Sequence, residues 1–250
     1  MSLCNDVAIT MFLKEQLRLV PDSARGALLD LGCGGQPYRH LYRALFKQSV
    51  AGDYCVRSRI DARLNICALP FRSEVFDAVI LSEVIEHVDD PVQALSEVRR
   101  VLKKGGLLFL TWPFMHPLHE LPHDYTRYTE FGMSRLLDKT GFELETLSRR
   151  GDLMGLGLAV AEQCAFNALE ALVRLPLIGR RCFGWMKPLG YEIAVRFWRA
   201  YLGSIGRLRR FHPEAVGERL KGPVNHLGLW TLGYCARGRK VRGGPSCEPS

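Results

Sequence analysis

Between residues 26 and 150 short apolar runs alternate with stretches of helical periodicity. Ala27–Leu31 (ALLDL) is apolar apart from one acid and reads as a buried strand, while Pro37–Phe46 sets Tyr38, Leu41, Tyr42, Leu45 and Phe46 on one helical face. Gln48–Gly52 predicts a second strand, Ile60–Ile66 a weaker third and Val75–Leu81 (VFDAVIL) a fourth. Asp90-Pro91 predicts a helix start, with the acid as N-cap and proline in the first turn. That helix turns Val92, Leu95, Val98 and Leu102 inward, and Lys103-Lys104-Gly105-Gly106 is its expected C-cap. Leu107–Thr111 follows as a strand, Thr129–Thr140 as a helix closed by Gly141, and Phe142–Leu147 as a strand. Ahead of all these, Val7, Met11, Leu13 and Leu17 mark a first helix.

Such alternation argues for an α/β fold with a parallel sheet covered on both faces. Ligands of such sheets lie beyond the carboxyl ends of the strands, near the point where strand order reverses. The segments of interest are therefore 32–36, 53–55, 65–70, 82–87 and 112–128.

After residue 150 the pattern changes. Residues 153–210 are apolar and aromatic with arginines at intervals, including Leu156, Leu158, Val160, Phe166, Leu169, Leu172, Trp185, Ile193, Phe197, Trp198 and Tyr201. A strand is next expected at Leu229–Cys235, running on to Ala236, and the Gly/Pro/Ser-containing 241–250 reads as a frayed tail. The net charge of +8 is concentrated here: residues 1–173 carry −3, residues 174–221 carry +8 and residues 222–250 carry +3. A near-neutral domain with a basic attachment is implied, and not a uniformly basic nucleic-acid binder. Glu162, Glu170 and Arg174 interrupt any run long enough to span a bilayer, so basic, Trp- and Phe-bearing helices here suit either a cap over the sheet or an anionic membrane surface. Eight cysteines without a C-x-x-C pair suit free thiols in a reducing compartment, and the N-terminus lacks the layout of a signal peptide. The expected location is cytoplasmic, with peripheral membrane contact.

The densest chemistry follows the first strand, in Leu28–Tyr38 (LLDLGCGGQPY). Glycines there let a ligand meet the backbone. A dinucleotide turn reads G-x-G-x-x-G, but Pro37 stands where its third glycine belongs. Asp30 would sit beside a pyrophosphate and repel it, whereas S-adenosylmethionine brings an ammonium and a sulfonium that a carboxylate attracts. Asp53, at the end of the second strand, is placed to accept the ribose hydroxyls.

Five motifs then occur in order: Asp30-Leu31-Gly32-Cys33-Gly34; Gly52-Asp53; Ala68-Leu69-Pro70-Phe71 with Phe76-Asp77; Ser82-Glu83-Val84-Ile85-Glu86-His87-Val88; and Leu102-Lys103-Lys104-Gly105-Gly106. Over residues 26–148 the chain resembles the class I S-adenosylmethionine-dependent methyltransferases, specifically the type 11 group. The resemblance implies a Rossmann-like seven-stranded sheet in the order 3-2-1-4-5-7-6, with strand 7 antiparallel. It also implies that Asp30, Gly32 and Gly34 hold the methionine portion, Asp53 the ribose, and Asn65-Ile66-Cys67 the adenine. Cys33, Tyr54, Ser82, Glu83 and His87 complete the expected cofactor contacts. The family usually joins strands 6 and 7 by a short hairpin, so 150–228 reads as a helical insertion. The methyltransferase domain is then 1–149 with 229–240.

Residues 112–128 should form the acceptor side. His119, Glu120, His123 and Asp124 are candidate bases or orienting groups, with His87 either joining them near the methyl end or packing in its turn. Trp112, Arg127 and Tyr128 are candidate substrate contacts, Arg127 as an anion clamp. The alternative for Asp124 and Arg127 is an ion pair that fixes the loop while Thr129 caps the next helix. Part of this run (Pro113-Phe114, His119-Glu120, Pro122, Asp124-Tyr125, Arg127-Tyr128-Thr129) is similar to one found in a type 11 sub-group. His116-x-x-His119, with Pro117 between, matches no zinc spacing, so no metal is expected. Three functions follow: O-methylation of a small or lipid-linked acceptor; NAD(P)-dependent oxidoreduction, disfavoured by Asp30 and Pro37; or a non-catalytic cofactor-binding or membrane-docking module.

Overall fold

The computed structural model describes residues 3–55, 60–173 and 231–241, together with the isolated positions 196, 199 and 200. The elements are α1 (Leu3–Arg18), β1 (Ala27–Leu31), α2 (Arg39–Tyr42), β2 (Gln48–Asp53), β3 (Ala62–Arg63), β4 (Phe76–Ser82), α3 (Pro91–Val101), β5 (Leu102–Pro113), α4 (Glu130–Lys139), β6 (Phe142–Arg150), α5 (Leu153–Val173) and β7 (Gly233–Lys240). The seven strands form one sheet in the order β3-β2-β1-β4-β5-β7-β6. Neighbours from β3 to β5 run parallel, and β7 is antiparallel to both β5 and β6. This is the expected order and sense.

Strict alternation along the strands divides the core in two. Leu29, Leu31, Val79, Leu81, Leu108 and Leu110 face α3 and α4, meeting Leu95, Val98, Met133 and Leu137. Leu28, Ala78, Ile80, Leu107 and Phe109 face the opposite way, onto Ile9, Leu13 and Leu17 of α1 and onto Tyr38 and Tyr42. Strands covered on both sides read as continuous apolar runs, which is why β1, β4 and β5 were legible.

Several boundaries differ from expectation; the third strand, expected over Ile60–Ile66, is only Ala62–Arg63, and β5 and β6 run on to Pro113 and Arg150. The helix predicted over 37–46 is α-helical only at Arg39–Tyr42, although Tyr38, Tyr42 and Phe46 are buried as the pattern required. Its continuation is cut short where Lys47 and Gln48 donate to the carbonyls of Arg25 and Gly26, drawing the chain into β2. Helix α3 begins as expected, Asp90 accepting from the Gln93 amide, but it ends at Val101. The Lys103–Gly106 run is therefore not a C-cap but the start of β5: Lys103 Nζ sits 2.8 Å from Asp77 Oδ2, Gly105 takes φ +75°, and the β4–β5 register jumps there. Strand β7 lies four residues later than predicted, because its basic end is neutralised within the sheet: Arg237 and Arg239 both pair with Glu145, and Lys240 Nζ donates to the Leu102 carbonyl.

Between β6 and β7, α5 starts on an Asp152 cap that accepts from the Gly155 amide, and Ala159 packs with Val7 and Leu232. The basic segment 174–221, apart from its helical positions 196, 199 and 200, lies outside the described residues, as do Leu229, Trp230 and 242–250.

Trp112, expected to contact substrate, is instead core. It is 1 % exposed, its indole N–H donates to the Tyr128 carbonyl at 2.8 Å, and its ring stacks on Tyr234 at 5.2 Å. Trp112→Ala should therefore cost about 3–5 kcal/mol of stability, read as a lowered urea midpoint. The exposed Tyr54→Ala should stay within about 0.5 kcal/mol of the parent.

Candidate active site

The carboxyl ends of β1, β2, β4 and β5 stand side by side, and two groups of residues gather beyond them. The first surrounds the glycine turn. Gly32 and Cys33 donate their amides to the Gly52 carbonyl, and Gly34 donates to Asp53 Oδ2 at 2.8 Å, so the turn is tied to the end of β2. Gly32 has φ +74°, and a Cβ there would lie 2.3 Å from Val84 Cγ2; both the backbone and the space demand glycine. Asp53 Oδ1 accepts from the Cys55 amide, leaving each carboxylate oxygen a further lone pair for a ribose hydroxyl.

Asp30 falls on the α1 face by the alternation of β1. It is 2 % exposed and accepts from the Tyr42 hydroxyl at 2.8 Å. Burial raises its pKa to about 6, opposed by the Tyr42 hydrogen bond and assisted by the negative charge of Asp53. Among the described residues the Tyr42 hydroxyl is the one side chain that donates to its carboxylate. Cys33 is buried, and burial with the nearby Asp30 and Asp53 pushes its thiol up to about 12, so it lines the turn as an uncharged group.

The remaining expected cofactor contacts lie around this edge. Asn65 Oδ1 accepts from the Cys67 amide in a local turn, beside half-buried Ile66. Tyr54 is 64 % exposed, with the Arg63 guanidinium over its ring at 5.4 Å. Ser82 Oγ lies 2.9 Å from Thr111 Oγ1, which donates to Glu83 Oε1. Glu83, at φ +53°, also accepts from Arg150 Nη2 at 2.9 Å. Arg150 is 2 % exposed, its charge matched by Glu83. Sequence reading missed Arg150, since nothing at the end of β6 announces a residue reaching the end of β4. Arg100 and Glu97 of α3 clamp the Leu69 and Phe71 backbone, which gives the Ala68–Phe71 motif a structural role.

The second group joins the turn after β4 to residues 114–128. Tyr125 and Thr126 donate their amides to the Glu86 carbonyl, docking the loop on that turn. Asp124 accepts both Arg127 nitrogens at 2.5 and 2.7 Å and the His119 amide at 3.0 Å. The guanidinium fork holds its carboxyl well below the usual carboxylate range, so Asp124 is a poor base and Arg127 is already engaged. This is the loop-fixing alternative. Thr129 caps α4, accepting from the Gly132 amide. Glu120 is exposed, at φ +50°, and His123 is exposed with Nδ1 2.8 Å from the Tyr125 hydroxyl. Tyr128 is half-buried, its side chain packed against the core and its carbonyl accepting the Trp112 indole N–H.

His87 and His119, thirty-two residues apart, meet with Nε2 atoms 3.1 Å apart. Glu86 lies beneath them, its side chain 1 % exposed, and no other described residue donates a hydrogen bond to its carboxylate oxygens. Burial and the neighbouring Glu83 raise its pKa well above the ordinary value.

Comparison with known proteins agrees with the fold. The family described as "Methyltransferase domain", type 11, matches residues 29–110. The chain is 30% identical over 131 residues to the mitochondrial ubiquinone biosynthesis O-methyltransferase of Homo sapiens, covering 43% of this chain and 36% of that one. It is 30% identical over 163 residues to a protein of Mycolicibacterium smegmatis named a probable S-adenosylmethionine-dependent methyltransferase, covering 57% and 61%. The chain thus spans between about a third and three-fifths of the length of these curated relatives. Among solved structures, phospholethanolamine N-methyltransferase 2 of Haemonchus contortus, in complex with phosphomonomethylethanolamine and S-adenosylhomocysteine, shares the fold at a TM-score of 0.53 and 14% identity, covering 94% of this chain and 52% of that one. Residues 29–110 thus match the type 11 methyltransferase model, and the seven-stranded sheet has the strand order of the class I S-adenosylmethionine-dependent methyltransferases.

Proposed function

We propose that this chain moves the methyl group of S-adenosylmethionine to an oxygen of a small or lipid-linked acceptor bound between the glycine turn and residues 114–128. The observation that carries the reading is Asp30: a buried carboxylate at the end of the central strand, beside a glycine turn that is tied through its own amides to Gly52 and Asp53. A cationic cofactor supplies the charge this acid lacks. The same charge disfavours a dinucleotide, whose pyrophosphate would lie beside it. When bound, S-adenosylmethionine would place its amino-acid end over Asp30 and Gly32–Gly34 and its ribose on Asp53, and it supplies the electrophilic methyl group.

The turn after β4 touches the glycine turn through Val84, so Glu86, His87 and His119 stand beside the expected methyl end. They are the groups placed to orient an acceptor oxygen and ease loss of its proton, with His123 and Glu120 exposed at the rim. Similarity to the human ubiquinone O-methyltransferase supports oxygen as the acceptor atom. A lipid-linked acceptor fits the basic, aromatic composition of 174–221, which would bring the protein to an anionic membrane surface. Among the described residues no helix is long and apolar enough to cross a membrane. Residues 150–228 would then both cap the pocket and meet the lipid.

S-Adenosylhomocysteine should raise the melting temperature and NADH should not; Asp53→Ala should lose the response, and a shift with NADH alone would overturn the reading. Affinity should also depend on pH. Burial raises the folded pKa of Asp30 from 3.8 to about 6, so ionisation costs stability as pH rises through that window. A cationic ligand favours the ionised form and reverses the sign. S-Adenosylmethionine binding should therefore weaken by up to about tenfold per pH unit below about 6, and Asp30→Asn should bind weakly with a flat profile, measured by calorimetry. Vesicles containing phosphatidylglycerol should carry the protein in flotation at low salt and release it at high salt.

A further inference from the structure

The meeting of Glu86, His87 and His119 is not explained by packing alone. His87 Nδ1 lies 2.7 Å from the His123 carbonyl oxygen, and His119 Nδ1 lies 3.2 Å from the Pro117 carbonyl and 3.3 Å from Asp124 Oδ2. These neighbours are acceptors only, so each Nδ1 carries the ring proton and each Nε2 presents a lone pair. The two Nε2 atoms are nevertheless 3.1 Å apart, where neither can donate to the other. The Glu86 Oε1 atom completes a triangle, 3.7 Å from His87 Nε2 and 3.9 Å from His119 Nε2. Three electron-pair donors thus converge with no hydrogen between them, one of them a carboxylate buried to 1 % exposure. The nearest point equidistant from all three atoms, in their plane, lies about 2.1 Å from each, the length of a zinc–imidazole or zinc–carboxylate bond.

We propose that Glu86 Oε1, His87 Nε2 and His119 Nε2 are the protein ligands of one divalent first-row transition ion, with Zn2+ the ion that their geometry fits. Two imidazoles and one carboxylate suit zinc and its neighbours and disfavour magnesium or calcium, which take oxygen ligands. The outer partners have the form expected around ligating histidines: the His123 carbonyl holds one ring, and Pro117 and Asp124 hold the other. Asp124 is fixed in turn by Arg127, so the ion pair that anchors the loop also aims a ligand. Linear spacing conceals the set, because His119 reaches it from the loop after β5.

Three protein ligands leave further positions open. Under the methyl-transfer reading an acceptor oxygen would enter one of them and lose its proton more readily. That consequence rests on the proposed function, whereas ion binding does not, and the test separates them. The full chain, dialysed against a chelator and then against buffer, is titrated with Zn2+ by calorimetry, and its Co2+ form is examined by visible absorption. One ion per chain and a tetrahedral Co2+ spectrum are expected. His119→Ala and His87→Ala should each weaken affinity by more than the ~10–100-fold that loss of an outer hydrogen-bond partner costs. The isosteric Glu86→Gln guards against misfolding and should likewise weaken it, with the S-adenosylhomocysteine melting shift retained as proof of fold. Sub-stoichiometric uptake, or uptake indifferent to both histidine variants, overturns the metal site. Intact uptake without methyl transfer to any oxygen acceptor would leave the ion in place and overturn the function instead.

Discussion

The constraint on which the structure depends is that its central strands are covered on both faces. β1, β4 and β5 are almost wholly buried, so polar chemistry can enter the sheet only where a strand ends. Parallel register puts those ends at one edge, and the order of β2, β1 and β4 places the reversal of strand order at β1. Asp30, Asp53, Glu83, Glu86 and Thr111 all lie at or just beyond that edge. Each is a polar group with a packed sheet behind it, and its environment is set by what the adjoining loops bring.

Those environments differ in kind. Glu83 is matched by the buried Arg150 and by Thr111, a complete pairing that fixes a backbone at φ +53°. Asp124 is matched by the Arg127 fork, which makes it a strut. Asp30 has one neutral donor, and Glu86 has two histidines that offer it lone pairs rather than protons. Buried charge without a matching charge is costly in a fold that has no use for it. The two under-matched acids flank the contact between Gly32 and Val84, which makes that edge the chemical centre of the molecule.

Much of the edge was legible along the chain. The alternation of apolar runs and helical faces identified the sheet, and the acid before the glycine turn marked the buried carboxylate at the end of β1. The end of α3 and the span of β7 differ from expectation because Lys103 and Arg239 are paired within the sheet. Their partners, Asp77 and Glu145, are remote in sequence. Trp112 looked like a substrate contact because it follows a strand, yet antiparallel pairing with β7 stacks it on Tyr234 and buries it.

By itself, then, the sequence determined the layered α/β sheet, its glycine turn and the acid set before it, since periodicity, glycine conformation and charge are local properties. Only the tertiary structure decided which loop residues are struts and which are ligands. Arg127 takes Asp124 out of the chemistry, Arg150 reaches Glu83 from another strand, and His119 meets His87 and Glu86 across thirty-two residues. Each of these outcomes depends on a distance between groups that no spacing along the chain encodes.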